Sequence, residues 1–164
     1  MVKVMSIENQ NRDIYPMPFF AILNVRDVNE SMKWYQEALG FYHIFSIPGP
    51  DNEPLLAHLR WAKYADVLLR RETKVENFPK GKGLTLNFNV TNGSVDEIAE
   101  RARRFGDRIV SEPKNQPWNA RDFSVMDPDG FTLTFTQGPV EKELDMDQVI
   151  ARSKQPFPSK TPET

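Results

Sequence analysis

The sequence predicts an α+β fold of two tandem modules, each with the order strand, helix, strand, strand, strand. The first observation is a repeat at a spacing of about 65 residues: Leu23-Asn24-Val25 and Phe88-Asn89-Val90 each end a strand-like segment that precedes a helix-like one. The second is Asp127-Pro128-Asp129-Gly130, a strong turn sequence, because proline presets φ and glycine tolerates positive φ. The repeated order of elements carries the prediction.

The first module begins with a strand over residues 19–25, rich in apolar side chains. A helix is predicted over residues 28–39, with Asp27 as its N-cap, Glu30 three positions later and Gly40 as its stop signal. Its core-facing positions follow helical spacing: Val28, Met32, Tyr35 and Leu39. Three further strands are predicted over residues 42–47, 55–61 and 66–71.

The second module repeats this order with clearer signals. Residues 84–90 alternate between apolar and polar side chains, as a strand with one buried face does. Ser94 and Glu97 have capping-box spacing, and Gly106 ends the predicted helix. The helix face is formed by Val95, Ile98, Ala99, Ala102 and Phe105. Strands follow over residues 109–112, 121–126 and 131–136.

The chain therefore divides into three parts. Residues 1–15 form a polar N-terminal arm, and residues 16–138 form the paired domain, with modules of about 16–75 and 82–138. Residues 139–164 are expected to form a short acidic helix followed by a disordered, proline-containing tail.

Composition excludes several classes of function. Among 164 residues, 21 basic and 23 acidic side chains give a net charge of −2, so nucleic acid and anionic membranes are not expected partners. The absence of cysteine excludes disulfides and thiolate chemistry. No signal-peptide pattern and no run approaching roughly 20 apolar residues is present, which favours a cytoplasmic protein.

Two motifs make the chain resemble the vicinal-oxygen-chelate superfamily over residues 18–137. These are Trp-Tyr-Gln-Glu-Ala-Leu-Gly-Phe at 34–41, which ends the first helix, and the Asp-Pro-Asp-Gly turn with a tryptophan and an arginine upstream. The superfamily contains glyoxalases, extradiol dioxygenases, fosfomycin-resistance enzymes and metal-free bleomycin-resistance proteins. The resemblance implies that each module curls its sheet around half of a cavity, and that two chains form a homodimer.

The resemblance also implies where a metal ion would be held. The positions that match the metal-dependent members are Phe20, Leu69, Thr85 and Thr134. None is a usual ligand, because divalent metals prefer carboxylate, carbonyl or imidazole donors. We therefore expect no metal and no cofactor, with His43 and His58 on other strands of the first module.

Strand alternation identifies the residues that would line the cavity. Thr85, Asn87 and Asn89 share one face of the first strand of module two, and Thr132, Thr134 and Thr136 share one face of its last strand. The candidate ligand-binding residues are Trp118, Arg121, Asn87, Thr85, Thr134, Phe45 and Trp61. Four keep a second interpretation: Trp118, Phe45 and Trp61 as core residues, and Arg121 as half of a surface salt bridge.

The favoured hypothesis is a metal-free protein that sequesters a partly aromatic small molecule, such as an antibiotic, in the manner of bleomycin-resistance proteins. The alternative is a lyase, isomerase or dioxygenase that depends on a metal, or an enzyme using an acid–base pair such as His58 with Glu72. A scaffold without a small ligand is the third possibility. We expect homodimerisation to cover exposed strand edges at residues 66–71 or 121–126.

Overall fold

The structure, a computed structural model, describes residues 13–74, 80–106 and 108–154. Within these ranges the chain forms two four-stranded mixed sheets and three helices. Most of the N-terminal arm (residues 1–12) and most of the expected disordered tail (residues 155–164) lie outside the described residues.

The first sheet contains β1 (Phe20–Val25), β2 (Tyr42–Pro48), β3 (Pro54–Ala62) and β4 (Ala65–Arg71). Its spatial order is β1-β4-β3-β2. β1 runs parallel to β4, whereas β2–β3 and β3–β4 are antiparallel. The helix after β1 is the crossover that carries the chain across the sheet, and the chain then returns strand by strand to β1.

The second sheet repeats this topology with β5 (Thr85–Asn89), β6 (Ile109–Asn115), β7 (Arg121–Met126) and β8 (Thr132–Gln137). Its order is β5-β8-β7-β6, and β5 is parallel to β8. The predicted α+β fold of two βαβββ modules is therefore confirmed. β6 extends three residues beyond its predicted end, into a segment whose proline and polar residues gave no strand signal.

Helix α1 (Val28–Trp34) continues as a π-helical turn (Tyr35–Leu39), and α2 is Val95–Arg103. Asp27 caps α1 by accepting a 2.9 Å hydrogen bond from the backbone N–H of Glu30. Gly40 ends the π-helical turn at φ 88°, a left-handed conformation that glycine adopts without a steric penalty. The predicted capping box of α2, Ser94 with Glu97, is present. Outside the modules, α3 is Met146–Ser153.

The helices cover one face of each sheet and create a continuous core. In the first module, Leu23, Val25, Leu59 and Leu69 are buried against α1. In the second, Phe123 and Val125 of β7 and Leu133 and Phe135 of β8 are buried on the side that carries α2. The other face of each sheet carries the partly exposed residues and is called the open face below.

The two modules share an aromatic contact. Trp61 of β3 packs against Phe88 and Phe135 of the second module, with ring centroids 6.4 and 5.0 Å away. Its indole Nε1 donates a 3.0 Å hydrogen bond to the carbonyl oxygen of Asn89. Phe41 completes the cluster beside Trp61 and Phe88. Trp61 therefore joins the modules, which is the core interpretation of this residue.

The strand edges differ from those expected. β4 lies between β1 and β3, and β7 lies between β8 and β6, so residues 66–71 and 121–126 are interior strands. The expectation that either segment leaves an exposed edge is wrong. In the first module the last strand, β4, pairs with β1 as well as β3, and in the second module β7 pairs with β8 as well as β6. The edge strands of the two described sheets are β1, β2, β5 and β6.

Candidate functional site

The open face of the second sheet forms a wall of neutral hydrogen-bonding side chains. The pairing register places Thr85 opposite Thr132, Asn87 opposite Thr134 and Asn89 opposite Thr136. All six side chains are exposed or half-buried, whereas their neighbours Phe88, Leu133 and Phe135 are buried on the opposite face. We call these six residues the polar wall.

Hydrogen bonds across the strands order part of this wall. The Thr136 hydroxyl donates to Oδ1 of Asn87 at 2.9 Å. The Thr134 hydroxyl lies 2.7 Å from the hydroxyl of Ser124, the residue opposite it on β7. Among the described residues, none accepts a hydrogen bond from the two N–H groups of the Asn87 amide, so the wall offers both donors and acceptors to a ligand.

A cleft of about 440 Å3 runs along β5, between the modules. Thr85 and Asn87 of the polar wall line it together with Trp61. Phe19 and Tyr64 of the first module add two exposed aromatic rings. The cleft thus combines an apolar side, from the first module, with the beginning of the polar wall, a composition typical of small-molecule sites.

Trp118 lies in a turn within the five-residue segment, residues 116–120, that connects β6 to β7. The turn is closed by a hydrogen bond from the N–H of Asn119 to the carbonyl oxygen of Gln116, and Asn119 has φ 63°. The Trp118 residue is 48% exposed, so it is a surface residue at this end of the sheet. β7 begins three residues later, opposite Gln137, which follows Thr136 of the polar wall.

Arg121 points away from the polar wall. It shares the helix-covered side with Phe123 and Val125, and it forms a two-pronged ion pair with Asp96 of α2. The N–O distances are 2.8 Å from Nε and 2.7 Å from Nη2. This hydrogen-bonded pairing lowers the pKa of Asp96 and raises that of Arg121. The structure therefore gives Arg121 the salt-bridge interpretation.

Phe45 lies on the open face of the first sheet, edge-on to His58 with ring centroids 5.3 Å apart. His58 is buried, and its Nε2 lies 2.8 Å from Oδ1 of Asp66. The structure thus pairs His58 with Asp66 and not with Glu72. His43 lies on edge strand β2, 2.8 Å from the Ser46 hydroxyl.

Asp66 is the centre of a buried polar network that the sequence did not reveal. Besides His58, its carboxylate accepts hydrogen bonds from Arg60 Nε at 2.7 Å and from the Tyr15 hydroxyl at 3.0 Å. The Arg60 guanidinium also lies 4.2 Å from the centre of the Tyr15 ring, within cation–π range. The network fastens the start of the described chain to the first sheet.

The positions implied for a metal ion do not fit one. Phe20 and Thr85 lie on β1 and β5 as expected, and Thr134 lies on the polar wall. Leu69 is wrong for an open-face position: it pairs with Leu23 and is fully buried on the helix side. Throughout the described ranges, no three His, Asp or Glu side chains form a group that could hold a metal ion.

A second cleft, of about 570 Å3, lies between the modules near Asn24, Arg70 and Lys80. Lys80 forms ion pairs there with Glu72 and with Asp129, the latter at 3.1 Å. Burial lowers the pKa of Lys80, but its hydrogen bonds to the two carboxylates outweigh this effect and raise the pKa overall. This cluster ties the end of the first sheet to the turn before β8 and serves as a structural clamp.

Residues 18–135 match the Glyoxalase/Bleomycin resistance protein/Dioxygenase superfamily, and the chain belongs to this family. Comparison with curated protein sequences gives no match. None of the described helices has the length and apolar character needed to span a bilayer.

Solved structures with the same fold include TioX from Micromonospora sp. ML1, at 23% identity and TM-score 0.58, covering 75% of this chain and 97% of TioX. A glyoxylase/bleomycin resistance protein/dioxygenase domain from Frankia sp. EAN1pec aligns at 19% identity and TM-score 0.62, over 80% of this chain and 96% of that domain. TnmS3 from Streptomyces sp. CB03234, described as an antibiotic binding protein, aligns at 25% identity and TM-score 0.52, over 72% of this chain and 92% of TnmS3.

Proposed function

We propose that this protein binds a partly aromatic small molecule without a metal ion, and that it sequesters the molecule without altering it. The observation that carries the proposal is the cleft along β5, where exposed aromatic rings of the first module face Thr85 and Asn87 of the polar wall. Apolar surface provides the affinity in such sites, and a few polar groups fix the orientation of the ligand.

The chemistry of the wall supports binding over catalysis. Threonine hydroxyls and asparagine amides are neutral near pH 7, so the six residues provide neither a general base nor an activated nucleophile. Phe20 and Thr134 stand where metal-dependent members would place ligands, and neither is a usual metal ligand. The likeness to TnmS3, an antibiotic binding protein, supports an antibiotic as the kind of ligand.

Within this proposal the residues have different roles. Asn87, Thr85 and Thr134 provide hydrogen bonds, and Trp118 provides an exposed aromatic surface at the end of the sheet. Trp61 supports one side of the cleft from the junction between the modules. Phe45 lies on the open face of the other sheet, and Arg121 lies behind the wall, so neither belongs to this cleft.

One observation favours a second candidate, an acid–base enzyme. His58 and Asp66 form a buried imidazole–carboxylate pair at 2.8 Å, an arrangement that can orient a general base. However, Asp66 is shared with Arg60 and Tyr15, and His58 lies beneath Phe45 with little access to solvent. These contacts favour a structural role for the pair.

The proposal is tested by elemental analysis of the purified protein together with thermal shifts. The panel contains bleomycin, planar aromatic antibiotics, and Zn, Mn, Ni and Fe salts. A ligand that binds the native state raises the melting temperature, so at least one aromatic compound should do so while the metals do not. About one metal ion per chain, with loss of stability on chelation, would restore the enzyme interpretation.

A further inference from the structure

The open face of the second sheet contains one buried charge. Asp122, on β7, lies opposite Thr136 of the polar wall, two residues before Ser124 in the same strand. Strand alternation places its side chain on the open face, because Phe123 beside it is buried on the helix side. Asp122 is only 8% exposed, although its neighbours Thr134 and Thr136 are half-buried.

One oxygen of this carboxylate has no hydrogen-bond partner within residues 13–74, 80–106 and 108–154. Its Oδ1 is buried and accepts no hydrogen bond from any residue in the described part of the chain. Lys114 of β6 is directly opposite Asp122 in the pairing register, yet it does not satisfy this oxygen. Arg121, the adjacent residue, points to the other side of the sheet and pairs with Asp96.

A buried carboxylate oxygen without a hydrogen-bond donor is energetically costly. Removing a charged group from water without a compensating donor opposes folding, so nearly all such groups in native proteins are hydrogen-bonded. The other acids in well-defined contacts follow this rule: Asp66 accepts from three side chains, and Asp127 accepts from two backbone N–H groups and a tyrosine. Asp122 is the exception, and it lies beside Thr136 of the polar wall, to which the proposed function assigns a ligand.

We propose that Asp122 recognises a cationic group of the ligand, so that the ligand class is a planar aromatic compound that carries an ammonium, amidinium or guanidinium group. This inference rests on the proposed function, because it uses the same wall. The aromatic part lies against the cleft or Trp118, and the cation reaches the carboxylate beside Thr136. A charge-assisted hydrogen bond then provides the donor that the protein does not supply.

The melting temperature of an Asp122 variant separates ligand recognition by this carboxylate from a structural role. If Asp122 stabilised the fold, Asp122→Asn would lower the melting temperature. If it is kept for a ligand, the same variant removes an uncompensated buried charge, so the melting temperature stays equal or rises. Asp96→Asn is the matched control, since it makes the same change in net charge behind the same sheet.

The experiment measures dissociation constants by NMR titration with two probes that share one skeleton, 2-naphthylmethylammonium and neutral 2-naphthylmethanol. The native protein should bind the cation at least about tenfold more tightly, as expected for a hydrogen bond to a charged group. Asp122→Asn should reduce this preference to near unity without weakening binding of the alcohol. Asp96→Asn should keep the preference, and Lys114→Gln should increase it by removing a competing positive charge.

The outcomes separate the two proposals. A preference for the cation that survives in Asp122→Asn, or a clear loss of stability in that variant, overturns the role of Asp122 and leaves the proposed binding function in place. If the alcohol binds and depends on Asn87 but the cation binds no better, the ligand class is wrong and the site is right. If neither probe binds the polar wall, the inference about the ligand class fails, and the thermal shifts with the antibiotic panel decide the proposed binding function separately.

Discussion

Tyr35 in the first module donates a 2.9 Å hydrogen bond to Oδ2 of Asp127 in the turn before β8 of the second module, and both residues are fully buried. The other oxygen of Asp127 accepts the backbone N–H groups of Asp129 and Phe131, which shapes the turn. One carboxylate therefore holds the turn and joins it to the first helix. Asp127 therefore does more than stabilise its own turn, because it also links the two modules.

Removing this hydroxyl should destabilise the protein. Tyr35→Phe leaves Oδ2 of Asp127 buried without its donor, and the expected loss of unfolding free energy is about 1–3 kcal/mol. Urea unfolding measures this loss. Tyr42→Phe, which removes a hydroxyl from an exposed residue of β2, is the control and should change stability very little. Equal losses of unfolding free energy in the two variants would show that the hydrogen bond between Tyr35 and Asp127 does not contribute to stability.

The same carboxyl predicts a pH dependence. Burial raises the pKa of Asp127, although hydrogen bonds from Phe131, Tyr35 and Asp129 partly oppose this shift. Because the folded-state pKa is raised, the stability that this group contributes is greatest below its unfolded pKa of about 3.8 and is lost as pH rises through the folded value.

The side-chain 13C shift of Asp127, followed against pH, should show a midpoint above about 3.8. Asp96 provides the internal comparison, because its ion pair with Arg121 lowers its pKa and its midpoint should fall on the other side of that value. If the two carboxyls titrate together, burial does not control Asp127.

Trp118→Ala separates a ligand-contacting role from a core role. Removing a buried tryptophan costs about 3–5 kcal/mol, but an exposed turn residue should leave the melting temperature within a few degrees. Affinity for the aromatic ligand should fall, since stacking contributes roughly 0.5–1.5 kcal/mol beyond area burial.

Arg121→Gln is the companion variant for this prediction. It breaks an exposed ion pair worth at most about 1 kcal/mol and should leave affinity unchanged. Unfolding of Trp118→Ala would show that Trp118 is a core residue. If Trp118→Ala keeps its affinity for the ligand while Asn87→Ala loses affinity, Trp118 does not belong to the site.

The sequence predicted the architecture because each module carries local signals for its own elements. Asp27, Ser94 and Gly40 marked helix ends, and the alternation of residues 131–136 identified both faces of β8. The polar wall followed from alternation alone. The expected edge strands were wrong because strand order within a sheet depends on long-range pairing, which a single sequence does not encode locally.

The remaining site residues were missed for related reasons. Leu69 was assigned to the open face because a register error of one residue reverses the face of a strand. Asp66 and Asp122 look like ordinary acids at strand positions, and only the folded contacts show that one is fully bonded and the other is not. The alternation of Asp122 and Ser124 with the apolar Phe123 and Val125 was the available signal that Asp122 lies on the open face.

Homodimerisation is still a prediction, but the strand edges that a second chain would cover are not those at residues 66–71 and 121–126. Edge strands β1 and β2 carry exposed apolar side chains, among them Phe20, Ile22, Phe45 and Ile47. Covering them with a second chain would remove apolar surface from water. Sedimentation equilibrium at micromolar concentration should give twice the single-chain mass of 19.0 kDa. A mass equal to one chain, unchanged on concentration, would contradict dimerisation.

The most direct test of metal-free sequestration is equilibrium dialysis of chelator-treated protein against bleomycin and planar aromatic antibiotics, with mass spectrometry of the recovered compound. We predict that at least one compound is retained by the stripped protein, that added Zn, Mn or Fe does not change its affinity, and that it is recovered with its mass unaltered. Retention only after a metal is restored, or recovery of a product with a different mass, would contradict the account and identify the protein as an enzyme.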